Sequence, residues 1–68
     1  MKISARNALA GKIVEIKEGV TTAHVMVDVG GTIMTASITN ESVKDLKLKV
    51  GEKVHTIIKS SDVMIAIP

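Results

Sequence analysis

Three short stretches of this chain combine side chains that could hold an anion. The opening "ISARNALAG" (3–11) sets Ser4, Arg6 and Asn7 close together, "TNES" (39–42) offers Thr39, Asn40 and Ser42, and "KSS" (59–61) offers Lys59, Ser60 and Ser61. A tetrahedral oxyanion needs such groups: several donors converging on its oxygens, and positive charge. Arginine presents a planar fork of donors and lysine a point charge. A helix starting near Thr39 would add unpaired N–H groups and a favourable dipole. A plainer reading stands beside this one. Thr39 and Asn40 can serve only as helix caps, Arg6 can cover apolar surface with its stem, and "KSSD" can be an ordinary turn. Spacing does not say whether the three stretches meet, within one chain or across an interface.

Other chemistry has little support. His24 and His55 fall in strand-like segments, away from any serine–acid arrangement, where a lone histidine is usually structural. Glu15, Glu18, Asp28, Glu41, Asp45, Glu52 and Asp62 are scattered among lysines, which reads as a solvated mixed surface rather than an acid–base pair. No HExxH, P-loop or dinucleotide-binding glycine pattern is present. The absence of cysteine excludes disulfides, thiolate metal sites and cysteine nucleophiles, and fits a reducing compartment. The chain is therefore expected not to be an enzyme and to hold no metal as a bare cation.

The net charge of +2 is a mild lysine excess, and Arg6 is the only arginine. Nucleic-acid-binding barrels stack bases on aromatic side chains, and this chain has 0% aromatic residues. No apolar run approaches the ~20 residues of a membrane span, and the opening does not resemble a signal peptide. The expectation is a cytoplasmic protein with neither nucleic-acid nor membrane partners.

The elements that must position these groups read mostly as strands. Residues 12–17, 22–29, 32–38, 53–59 and 62–67 are rich in Val, Ile and Thr, and several alternate with period two. Ala23, Val25, Val27 and Val29 point one way along the second of them. Ile3 and Leu9 read as core. Turns are expected at "EGV" (18–20), "GG" (30–31) and "VGE" (50–52). Residues 39–48 break the pattern and read as a short helix, with Thr39 or Asn40 as cap and Val43 and Leu46 on one face. Three strands, a helix and two strands is the order of an all-β, OB-like five-stranded barrel with one short helix between strands 3 and 4. With 68 residues the chain is one domain, and a core without aromatics is thin. The missing burial is expected from contacts between subunits.

The stretches "SARNALAGKIVEIKEG", "SITNESVKDLKLKVGEKV" and "IIKSSDVMIA" closely resemble the Mop domain of the small molybdate-binding proteins called molbindins, from Ser4 to Ile67. The resemblance implies a single Mop domain over 1–68, standing alone, with an OB-like barrel. It implies a homohexamer, a trimer of dimers, binding molybdate or tungstate at subunit interfaces for intracellular storage and homeostasis. It makes Ser4, Arg6, Thr39, Lys59 and Ser60 ligands, partly through backbone N–H groups. Asn7, Ser42 and Ser61 also match family positions and are expected among the oxyanion-binding residues, either in contact with the ion or holding the strand ends in place. The "SAR" of one subunit is then expected to face a neighbour's helix start and "KSS" loop. No organic cofactor is expected, since only Arg6 could stack on a flat pterin. The alternative is an oligomer of such barrels that assembles through its apolar strands and takes no oxyanion.

Overall fold

All 68 residues are described by a computed structural model. The alternating β-branched segments form β1 (Asn7–Glu18), β2 (Thr22–Asp28), β3 (Ile33–Thr39) and β4 (Lys53–Ile58), with helix α1 (Asn40–Asp45) between β3 and β4. All neighbours are antiparallel, in the order β3-β2-β1-β4. The first strand starts earlier than its alternation indicated and serves two partners. Its first half pairs with β4 (Asn7↔Ile58 to Lys12↔Lys53) and its second half with β2 (Lys12↔Asp28 to Glu18↔Ala23). A bulge between Ile13 and Glu15 bends it at the change of partner, as bulges do. The sheet therefore curls into a half-barrel.

Its concave face carries the core: Ile13, Ala23, Val25, Val27 and Val43 are buried, with Ile16, Val29, Ile38, Leu48 and Val54 packed against them. The alternation expected along β2 is thus observed. The glycine turns are observed too. Gly30, Gly31 and Gly51 all have positive φ, and the Asp28 carboxylate accepts the N–H groups of Gly30 (3.1 Å) and Gly31 (2.7 Å).

The structure corrects the sequence reading in four places. The sheet has four strands, not five. Residues 62–67 form no strand: a 3-10 turn (Ser60–Asp62) leads into a tail without secondary structure or ladder hydrogen bonds. Met64, Ile65 and Ile67 are 91%, 88% and 88% exposed. A strand exists only through a partner, and β-branched composition does not supply one. The barrel is correspondingly open between β3 and β4. That gap is an apolar hollow of about 420 Å³ whose lining includes Met34, Ile38, Val54 and Ile58.

The helix ends at Asp45 rather than at 48. Lys47 takes the left-handed conformation (φ 54°), its N–H bonds to Lys44 O, and the Leu48 N–H reaches back to Val43 O. This is a Schellman stop without its usual glycine, so no residue announced it. Leu46 consequently faces solvent while Val43 is buried. Finally, Ile3 and Leu9, read as core, are 53% and 41% exposed, because no element of this chain covers the opening segment.

Candidate functional site

The end of β1 and the end of β4 are adjacent because Asn7 pairs with Ile58. The Asn7 carboxamide reinforces that pairing by donating to Ile58 O at 3.3 Å. The register therefore brings the preceding Ser4 and Ala5 beside the following Lys59, Ser60 and Ser61. Together with Ile3 they line one shallow hollow of about 500 Å³. Two of the three sequence clusters meet in this hollow, and they meet within one chain. Ser4 and the "KSS" segment thus already share a hollow within a single chain. Ala5 was passed over in the sequence because alanine offers only its backbone.

The hollow is wet and cationic. Ser4, Arg6, Lys59, Ser60 and Ser61 are all exposed. Neither Arg6 nor Lys59 is in an ion pair, since the one ion pair in the chain joins Lys17 and Glu15 at 3.6 Å. Asp62 is the nearby acid: its N–H closes the 3-10 turn on Lys59 O at 2.9 Å. Arg6 does not line the hollow, but it stands two residues beyond Ser4 on the same exposed segment.

The third cluster is built separately. Thr39 is the N-cap of α1: its Oγ1 accepts the Ser42 N–H at 3.0 Å, and its hydroxyl donates to Ser42 Oγ at 2.8 Å. The capping reading of Thr39 therefore holds. Asn40 has a role that sequence reasoning missed. Its carboxamide donates to Gly19 O (2.9 Å) and Val20 O (3.3 Å), and its N–H donates to Thr21 O. The start of the helix is thereby clamped to the β1–β2 turn. Asn40 Oδ1 is buried and unpartnered.

No hydrogen bond, ion pair or common hollow joins Thr39 and Ser42 to the Ser4–Lys59 cluster. Thr39 follows Ile38 on one wall of the open gap, and Lys59 follows Ile58 on the other.

A curled antiparallel sheet with one capping helix, carrying hydroxyls and unpaired cations at its strand ends and no catalytic constellation, defines a small OB-like binding module. The TOBE domain family matches residues 3–65, and the chain belongs to this family, among its molybdenum-pterin-binding (Mop) proteins. It is 47% identical over 66 residues to molybdenum-pterin-binding protein 3 of Clostridium pasteurianum, covering 96% of this chain and 97% of that one. Its structure matches that of a molybdate-binding protein from Sporomusa ovata with a TM-score of 0.94 at 39% identity, over 98% of this chain and 100% of that one. A molybdate-bound form of ModG, described as a cytoplasmic molybdate-binding protein, matches with a TM-score of 0.94 at 38% identity. There the match takes in 100% of this chain and 49% of the other, so the chain spans about half the length of ModG. These relatives are binding proteins rather than enzymes.

Proposed function

We propose that this protein binds molybdate or tungstate at sites between copies of itself and so stores and buffers the oxyanion in the cytoplasm. The observation that carries the reading is the hollow in which Ser4 and Ala5 meet Lys59, Ser60 and Ser61 across 55 positions of sequence. In this reading Ser4, Arg6, Lys59 and Ser60 supply one half of the cage. Thr39, with the exposed start of α1, supplies the other half from a second copy. Asn7, Ser42 and Ser61 hold the segments that present them: Asn7 ties β1 to Ile58, and Ser42 orients the Thr39 hydroxyl. Charge and donors bind an oxyanion without converting it. No helix is long and apolar enough to cross a membrane.

Self-association has its own support. The chain exposes 5492 Å² for a mass of 7.2 kDa, about 1,400 Å² more than a folded monomer of that mass. That excess surpasses the ~800 Å² each partner buries in an ordinary interface. The chain contains 31 backbone–backbone hydrogen bonds, where two-thirds of roughly one bond per residue gives about 45 for a closed fold of this length. The unpaired edges of β3 and β4 flank an apolar gap, and Val63–Pro68 is an exposed apolar segment outside the sheet. The tail of one copy seated in the gap of another would supply the fifth strand and draw Thr39 and Lys59 of different copies together. Repetition of this contact is the proposed route to the hexamer.

Titration calorimetry with molybdate, at known oligomeric mass and with sulfate and phosphate as controls, tests the reading. Sulfate is smaller and would leave donors of a rigid cage unmet, at about 1–3 kcal/mol each. The expected result is saturable molybdate binding of at most one ion per chain that sulfate does not reproduce. Arg6→Ala and Lys59→Ala should each weaken it by about ten- to a hundredfold, the worth of a hydrogen bond to a charged group. A clean oligomer that gives no heat with molybdate or tungstate would overturn the proposal and leave an assembly without an oxyanion ligand.

A further inference from the structure

The convex face carries a second cationic hollow that shares no residue with the site above. Lys12 is the one residue of β1 paired on both sides, with Asp28 of β2 and with Lys53 of β4. Two lysines are thus held directly opposite one another on the same exposed face. Like charges so placed repel. Neither lysine is neutralised: Asp28 turns its Oδ1 to the Gly30 and Gly31 N–H groups, and no Lys12–Asp28 ion pair forms. His55, two residues beyond Lys53 in β4, is exposed on the same face and adds a third donor. The three side chains border an open hollow of about 640 Å³. Its lining also includes Val14, Val54 and the Asp28 carboxylate, whose Oδ1 is taken by the Gly30 and Gly31 N–H groups, and small residues, Ala10, Gly11, Gly30 and Gly31, make up the rest.

We infer that this hollow is an anion site for a phosphate group carried on a larger organic molecule. An anion between Lys12 and Lys53 relieves the repulsion that the register imposes and takes bonds from two cations at once. The hollow, about 640 Å³ and open to solvent, is wider than a bare tetrahedral oxyanion and leaves room beside the anion for the group that carries it. The small residues Ala10, Gly11, Gly30 and Gly31 leave space beside the lysines for the organic part.

Riboflavin 5′-phosphate serves as the probe, titrated into isotopically labelled full-length protein and followed by amide chemical shifts. The expected shifts cluster on Lys12, Lys53, His55 and the Gly30–Gly31 turn, and riboflavin lacking the phosphate does not produce them. Lys53→Gln should weaken binding about tenfold or more, as loss of a charged donor does. The same substitution should leave the melting temperature of the ligand-free protein unchanged or raised, because it removes a like-charge pair. Shifts confined to Ser4 and Lys59–Ser61, or affinity unchanged in Lys53→Gln, would overturn the site. Inorganic phosphate binding as tightly as the ester would overturn the organic ligand. A lowered melting temperature in ligand-free Lys53→Gln would overturn the argument from repulsion.

Discussion

Gly11 lies where β1 changes partners, and adding one methyl group there tests how the half-barrel is closed. A Cβ on Gly11 would stand 2.6 Å from Asp28 O, 2.7 Å from Val27 Cγ1 and 2.9 Å from Val29 Cγ1. The two valine methyls could rotate away, but the carbonyl could not. Asp28 is locked by its register with Lys12 and by the glycine N–H groups on its carboxylate. Even a separation of 3.0 Å requires β1 and β2 to part by about 0.4 Å at a ladder pair. Two terms oppose each other in Gly11→Ala. Replacing a strand glycine recovers about 0.5–1 kcal/mol, and overpacking costs about 1–3 kcal/mol. The second wins, for a net loss of about 1–2 kcal/mol. For a domain of this length that lowers the melting temperature by about 5–15 °C. Thermal unfolding by circular dichroism at one fixed protomer concentration measures it, since association itself raises stability. Ala10→Gly, on the open convex face, is the control and should lose only the ~0.5–1 kcal/mol of glycine's flexibility. Gly11→Ala melting at or above the wild-type temperature would refute the packing argument.

Three further outcomes are expected. Lys47→Gly should stabilise by roughly 0.5–1 kcal/mol in urea denaturation, because glycine occupies the left-handed position of the Schellman stop without the Cβ penalty. Asn40→Asp replaces a carboxamide donor with a carboxylate facing Gly19 O and Val20 O. It should cost about 2–4 kcal/mol through two lost hydrogen bonds and a poorly solvated charge, with faster amide exchange at Gly19–Thr22 as the local sign. Ile65→Asp, in the exposed tail, should leave the far-ultraviolet spectrum of the sheet intact while reducing the particle mass in light scattering. An unchanged mass would argue against tail docking.

Much of the architecture was legible from period and punctuation. The alternation of Ala23, Val25 and Val27 identified the buried face of β2, because side chains on a strand switch faces at every residue. Gly30, Gly31 and Gly51 marked turns because each stands at positive φ, which other residues rarely adopt. Thr39 marked the helix start because its hydroxyl can cap the Ser42 N–H. The helix end was not legible, since Lys47 holds a position where glycine is the usual signal. The tail misled because "DVMIAI" has the composition of a strand, and pairing is a property of two segments.

For the candidate site, the sequence by itself determined the chemistry: which residues carry hydroxyls, amides and positive charge, and that aromatic and thiolate chemistry are absent. Only the tertiary structure decided which of them meet. The Asn7↔Ile58 register puts Ser4 beside Lys59–Ser61, while the gap between β3 and β4 keeps Thr39 on the opposite wall. The register of Lys12 against Lys53 likewise creates a cationic pair from residues 41 apart. Local sequence encodes propensity and donor chemistry within a few residues. Register is set by the whole sheet burying one face, so long-range juxtaposition appears only once the chain has folded.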